Sequence, residues 1–229
     1  MRARDVMTAE VLTVGPETSV TDVAKLMLDR RISGVPVVDA DRLVGIVSEG
    51  DLMRRAELIT ERRPWWLGLA SSPEDQAKAY VKAHGLKARD VMTKEVVTID
   101  EHDPLDQVAM IFEELGIKRA PVMQGDKMVG IVSRANLLQG LAAGKTGSTG
   151  PNDKAIRSAI LAAAREDAGV RVPLVGVTVA NGVVHLWGNV ASEAESEAMR
   201  VVAETAEGVR QVHNHMKVLP SSVLEWNFE

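Results

Sequence analysis

Residues 3–53 of this chain reappear, without a gap, as residues 88–138, and that duplication limits the fold more than any other feature. Ala3-Arg4-Asp5-Val6-Met7-Thr8 returns as Ala88-Arg89-Asp90-Val91-Met92-Thr93, an offset of 85. The same offset relates Thr13 to Thr98, Pro36 to Pro121, Asp41 to Asp126, and Gly45-Ile46-Val47-Ser48 to Gly130-Ile131-Val132-Ser133. One offset over so many separated points marks two copies of a single structural unit. A unit of roughly 50 residues buries little surface by itself. Two copies packed sheet to sheet would cover both apolar faces.

Each copy carries the same pattern. In the first, a short strand is expected at Val11–Val14 and an amphipathic helix from about Ser19 to Arg30, with Val20, Val23, Ala24, Met27 and Leu28 at helical spacing. Two strands follow, Val35–Val38 and Leu43–Val47, joined by the polar turn Asp39-Ala40-Asp41-Arg42. A helix closes the copy after Ser48, giving the order β-α-β-β-α.

The apolar run Leu43-Val44-Gly45-Ile46-Val47 stops at Ser48, and Asp51 follows three residues later. Ser48 therefore sits at a strand-to-helix corner, where unpaired backbone N–H groups favour an anion. The same spacing also makes a capping box, in which Ser48 satisfies a backbone N–H and Asp51 reaches back. Recurrence of the whole stretch favours a ligand at this corner.

Between the copies, Arg54 to Arg63 is charged and helix-like until Pro64-Trp65-Trp66-Leu67 breaks it. The Trp pair could stack on a base or bind a partner, but such a pair more commonly anchors an insert to the body. Ser71-Ser72-Pro73-Glu74 then opens a second helix, which Gly85 stops. After Leu141, AAGKTGSTGPND reads as a flexible linker. Its Gly-Lys-Thr is no phosphate loop, because Gln139 stands where that motif needs glycine and no buried strand precedes it.

The last third has the order α-β-β-α-β. Asp153 is expected to cap a helix running to about Asp167. Val172–Val179 and Val183–Trp187 flank Ala180-Asn181-Gly182 as a hairpin, Ser192 starts a Glu-rich helix, and Val209–Val218 is a final strand. His213 and His215 share a face of that strand, without a placeable third metal ligand. His84, His102 and His185 have no neighbouring constellation, so no metal site is expected.

The bulk numbers exclude several classes of function. A net charge of −5 argues against a nucleic-acid footprint, and the absence of cysteine removes disulfides, thiolate metal sites and cysteine catalysis. The start, MRARDVMTAEVLTV, lacks a signal peptide's apolar core, and no stretch approaches the ~18 apolar residues of a membrane span. A soluble cytoplasmic protein is the expectation. No nucleophile–base pair or metal cluster stands out, so an enzyme is the poorest reading.

The duplicated unit, with GVPVVD and LVGIVSEGDL in one copy and RAPVM and MVGIVSRANL in the other, resembles the CBS domain pair, or Bateman module. The tail, with NGVVHLWGNVAS and GVRQVHNHMKV, is similar to the BON domain. The resemblance implies a mixed α+β chain: a first CBS repeat at 1–57, a helical insert at 58–87, and a second repeat at 88–141. A linker at 142–151, a BON-like domain at 152–220 and a tail at 221–229 would complete it. It further implies a pseudo-twofold pair with two clefts that bind adenosine derivatives: AMP, ADP or ATP, with NAD or S-adenosylmethionine as alternatives, and no required cofactor. Asp51 would accept from the ribose hydroxyls, Ser48 would contact ribose or phosphate, and Thr13 would line the cleft. The backbone of Ser33, Gly34, Val35 and Pro36 would read the adenine edge.

The second copy departs from this pattern. Its set is Thr98, Lys118, Arg119, Ala120, Pro121, Ser133, Arg134 and Asn136, in which Asn136 replaces the aspartate and Arg134 replaces Glu49. A cation in a helix's first turn opposes the macrodipole, and Lys118 and Arg119 add two more. These cations suit a bound anion, so copy one would grip ribose while copy two receives phosphates. The alternative is a lapsed site with solvated cations. The leading functional expectation is a nucleotide sensor that signals through dimer or BON-domain rearrangement, with a homodimer formed through helices at Val20–Leu28 and Leu105–Leu115. The competing expectation is an adaptor whose BON-like domain binds a protein or phospholipid surface. The acidic helix with Glu193, Glu195, Glu197, Glu204 and Glu207 disfavours anionic lipid.

Overall fold

The computed structural model describes residues 1–54, 73–143, 151–166, 170 and 175–218. Trp65, Trp66 and the Gly-Lys-Thr of the linker lie outside the described residues, as does most of the Arg54–Arg63 segment. The elements of the first half are α1 (Ala3–Val6), α2 (Val20–Asp29), β1 (Gly34–Asp39), β2 (Arg42–Ser48), α3 (Glu49–Met53), α4 (Pro73–His84) and α5 (Ala88–Val91). Next come β3 (Ile99–Asp100), α6 (Leu105–Glu114), β4 (Arg119–Gln124), β5 (Lys127–Ser133) and α7 (Arg134–Ala142). The last third holds α8 (Pro151–Glu166), β6 (Val175–Ala180), β7 (Val183–Val190), α9 (Glu193–Thr205), β8 (Gln211–Asn214) and β9 (Lys217–Val218).

Two compact units form, and their limits differ from those of the sequence repeats. Leu12–Val96 makes one, while Met1–Val11 joins Val97–Glu229 in the other. Each copy of Ala-Arg-Asp-Val-Met-Thr thus completes the sheet of the opposite repeat. In the first unit, Thr93 exchanges two hydrogen bonds with Ile46 of β2, at 2.9 and 3.0 Å. In the second, Thr8 does the same with Ile131 of β5, at 3.0 and 2.9 Å. The cores follow suit. Ala88, Val91 and Met92 are buried against Val23 and Met27 of α2 and Val35, Val37 and Val47 of the hairpin. Ala3, Val6 and Met7 are buried with Ile99, Val108, Phe112, Ala120, Val122 and Val132.

Local chemistry explains the elements. Ser19 caps α2, its Oγ accepting from the Asp22 N–H at 3.0 Å. β1 and β2 are an antiparallel hairpin in which Gly34 faces Ser48 and Asp39 faces Arg42. Its turn holds Ala40 and Asp41 at φ of 45° and 63°, as a two-residue hairpin turn requires. The strand expected at Val11–Val14 shrinks to one bridge, Val14 with Val37. In the second copy Glu101 N–H donates to Met123 O at 3.0 Å and extends the pairing; the matching residue is Pro16, which has no N–H to donate.

The third sheet has the order β6-β7-β8, with β9 also on β7. Asp153 does not cap α8, which already begins at Pro151. Its buried carboxylate instead accepts from the N–H groups of Asn181 and Gly182, at 2.9 and 2.8 Å, and so braces the hairpin turn. The single strand expected over Val209–Val218 divides into β8 and β9, because the Asn214 side chain takes the Met216 N–H at 3.0 Å and interrupts the ladder.

Met7 lies across Gly130, where an added Cβ would meet Met7 Sδ at 2.5 Å and Thr8 O at 3.0 Å. Gly130→Ala is therefore expected to destabilise the protein by about 1–3 kcal/mol, measured by denaturant unfolding, since the carbonyl is main chain and has little room to give.

Candidate functional site

The hairpin of the first unit brings the expected residues of copy one together. Ile46 spends its N–H and C=O on Thr93, so Val35 and Val47 are the pair that bond across the hairpin. By strand alternation, Gly34 and Pro36 face the opposite edge, and there the Pro36 carbonyl accepts from Val14 N–H at 3.1 Å. Thr13, exposed, lies just before that bridge. The Ser33 carbonyl accepts from the Glu49 N–H at 3.2 Å. Gly34 is thus the residue of the 33–36 set whose main-chain groups point to the open edge. The Val35 side chain is fully buried, so this residue can meet a ligand only through its backbone.

At the corner, the capping box is formed and is the resting state of the carboxylate. Asp51 is 3% exposed. Its Oδ2 accepts from Ser48 N–H at 2.9 Å and from Ser48 Oγ at 2.6 Å. Its Oδ1 accepts from Arg54 Nη2 at 2.6 Å and Thr93 Oγ1 at 3.4 Å, with Lys82 Nζ at 3.9 Å. One oxygen is therefore committed to the cap, while the other is held by the side chains of Arg54, Thr93 and Lys82. Arg54 and Lys82 are each about half exposed and can be displaced. Thr93 and Lys82 also line a cavity of about 780 Å³ with Glu74, Val81, Arg89 and Lys94. Sequence reading missed both residues. Thr93 carried a signal, since it ends the repeated hexapeptide; Lys82 sits on the inserted helix α4 and carried none.

The second corner is built differently. Asn136 Oδ1 accepts from Ser133 N–H at 2.9 Å and Ser133 Oγ at 2.7 Å, repeating the cap. Its Nδ2 donates to Val6 O at 3.0 Å and Gln139 Oε1 at 3.3 Å. Gln139 is the repeat partner of Arg54, so an Asp–Arg pair in one copy becomes an Asn–Gln pair in the other. The amide is what this corner needs, since a carboxylate cannot donate to a carbonyl. Arg119 faces Ser133 across the hairpin, and Arg134 N–H donates to Lys118 O at 3.0 Å, so all three cations gather at one end of β4 and β5. Lys118 and Arg134 are exposed and Arg119 is half-buried. Thr98, exposed, precedes the Ile99–Val122 pair, and Ala120 and Pro121 are buried in β4.

One constellation went unseen in the sequence. The β7–β8 register sets His185 opposite His213, and His215 joins them. His185 Nδ1 lies 3.1 Å from His215 Nε2, and Trp187 stacks on His215 at 4.0 Å. The signal was hidden because pairing of parallel strands is set by tertiary packing, not by local spacing. Among the described residues, no three or more His, Cys, Asp or Glu side chains are arranged to hold a metal ion. Burial, followed by the neighbouring His213 and His215, pushes the His185 pKa down.

Two expectations follow. Asn136→Asp should destabilise the protein by about 1–3 kcal/mol at neutral pH, read by denaturant unfolding, because a carboxylate would confront the Val6 carbonyl. A lowered folded-state pKa means that the unfolded chain binds the proton more readily at His185. Stability should therefore fall as pH drops through the histidine range, and His185→Gln should flatten that dependence in thermal melts.

Comparison with known proteins defines the family. The CBS domain model matches residues 3–57 and 88–143, and the BON domain model matches 152–220. The chain is 31% identical over 137 residues to CBSX1, a chloroplastic CBS domain-containing protein of Arabidopsis thaliana, covering 55% of this chain and 57% of that protein. The chain thus spans little more than half the length of that relative. It is 30% identical over 156 residues to an uncharacterised protein of Methanocaldococcus jannaschii, covering 62% of this chain and 91% of that one. The solved structure of CBSX2 in complex with AMP superposes with a TM-score of 0.54 at 27% identity, covering 62% of this chain and 96% of that one. Both matched modules are regulatory and non-catalytic, and among the described residues no helix is long and apolar enough to cross a membrane. The chain belongs to the CBS domain family, as a tandem CBS pair followed by a BON domain.

Proposed function

We propose that this protein is a regulatory adenosine-nucleotide sensor whose principal site is the corner of the first copy, formed by Thr13, Ser33, Gly34, Val35, Pro36, Ser48 and Asp51. The observation that carries the reading is the divided state of Asp51. Its Oδ2 is fixed by the Ser48 cap, while Oδ1 is held by the displaceable Arg54 and by Thr93 at the edge of a cavity. A ribose cis-diol brings two O–H donors and can replace the Arg54 guanidinium without dismantling the cap. The AMP complex of CBSX2 supports an adenosine ligand for this class of module. Lys82, Arg89 and Lys94 on the cavity wall suit the phosphate end.

The second set holds no carboxylate for ribose. Its cations Lys118, Arg119 and Arg134 favour an anionic group, and Asn136 is already engaged with Val6 and Gln139. A homodimer would use the exposed apolar residues Leu28 of α2, Met110 of α6 and Leu115 just after it, which a solitary chain leaves in water. The ligand would signal by favouring one arrangement of the modules energetically over another.

Calorimetric titration with AMP, ATP, NAD and S-adenosylmethionine tests the reading. Asp51→Asn keeps an acceptor for the cap, as Asn136 does naturally, yet removes the charge. It should weaken the adenosine ligand at least tenfold while leaving the thermal melt near that of wild type. Equal affinity in the variant would contradict the proposal.

A further inference from the structure

The same hexapeptide stands in two environments. At 88–93 it borders the open cavity, contributing Arg89, Asp90, Met92 and Thr93, with α4 as the facing wall. The offset turns these four into Arg4, Asp5, Met7 and Thr8. There the BON domain is in place. Arg157 of α8 donates from Nη2 to Met7 O at 2.7 Å and from Nε to Val177 O on β6 at 2.8 Å. Arg165, on the same helix, pairs with Glu10. β6 packs against α1 and α7, so closely that a Cβ on Gly176 would sit 3.4 Å from Gln139 Oε1.

The two copies of the hexapeptide also differ in burial. Asp5 is buried where Asp90 is half-buried, and Arg4 is half-buried where Arg89 is exposed and paired with Glu17. Arg4 Nε is enclosed without a hydrogen-bond partner among the described residues. The corner residue is tied to the same segment: Asn136 Nδ2 donates to the Val6 carbonyl, one residue from the Met7 carbonyl that accepts from Arg157.

We propose that the BON domain is a built-in occupant of the second copy's ligand position, clasped by Arg157. While it is docked, each chain accepts one adenosine ligand, at Asp51; undocking opens a second place beside Met7, Asn136 and Gln139. Ligand at that second place and BON docking then oppose each other, by the reciprocity that binding linkage demands. This rests on the adenosine reading above, and the test separates the two.

Full-length Arg157→Met and, independently, Glu10→Arg would be compared with wild type by amide hydrogen exchange over residues 3–10 and 88–95, and by titration with AMP. In wild type, 3–10 should be the better protected segment and one equivalent of AMP should bind. In the variants, exchange over 3–10 should rise at least tenfold and a second, weaker equivalent should appear. Two equivalents in wild type, or unchanged exchange in both variants, would overturn the proposal. One equivalent throughout, with the rise in exchange intact, would also overturn it while leaving the sensor reading standing. Uptake of no AMP by any of the three proteins would overturn both.

Discussion

The architecture of the CBS pair depends on where the two copies of Met-Thr go. Met7 and Thr8 seal the hairpin of the second copy, and Met92 and Thr93 seal that of the first. Each threonine adds two main-chain hydrogen bonds to β5 or β2, and each methionine lies over a glycine, Gly130 or Gly45, whose missing side chain makes the room. A hairpin with one helix is marginal, so this exchange is what supplies each sheet with a further edge and each core with three more apolar residues. It also carries Thr93 to Asp51 and Val6 to Asn136, so the segments that complete the cores also complete the corners.

From that shared frame the two copies diverge at two linked positions. Asp51 with Arg54 makes a charged pair, of which the arginine is exposed. Asn136 with Gln139 makes a neutral pair, tied to the Val6 carbonyl and set beside the BON domain. Removing the Asp51 carboxylate charge and removing the Asn136 amide donor are therefore different perturbations, despite identical places in the repeat. The first alters the charge that the corner presents. The second acts on what holds the corner to its neighbours.

The repeat, the α-β-β-α order of each copy, the hairpin turns and the capping corners were legible because each is a local matter of spacing and side-chain chemistry. Ser19, Ser48, Ser133 and Ser192 all stand at helix starts, as their sequence contexts indicate. The exchange of the leading hexapeptides was not legible, since the offset shows that they recur but not which sheet they join. Asp153 was misplaced for a similar reason: an acidic residue near a helix start reads as a cap, and its true partners, Asn181 and Gly182, are distant in sequence. The histidine cluster likewise needs the β7–β8 register before His185 meets His213. Loss of a strand before Pro16 could have been read, because proline has no N–H for the ladder.

The proposed ribose contact requires Asp51 to change partners, keeping its cap while exchanging Arg54 for a ribose. A crystal structure of the full chain grown with AMP addresses this directly. Ribose hydroxyls are expected within hydrogen-bonding distance of Asp51 Oδ1, with Arg54 displaced and Ser48 still bonded to Oδ2. AMP bound elsewhere, or at the corner with the Asp51–Arg54 pair intact, would contradict the proposal.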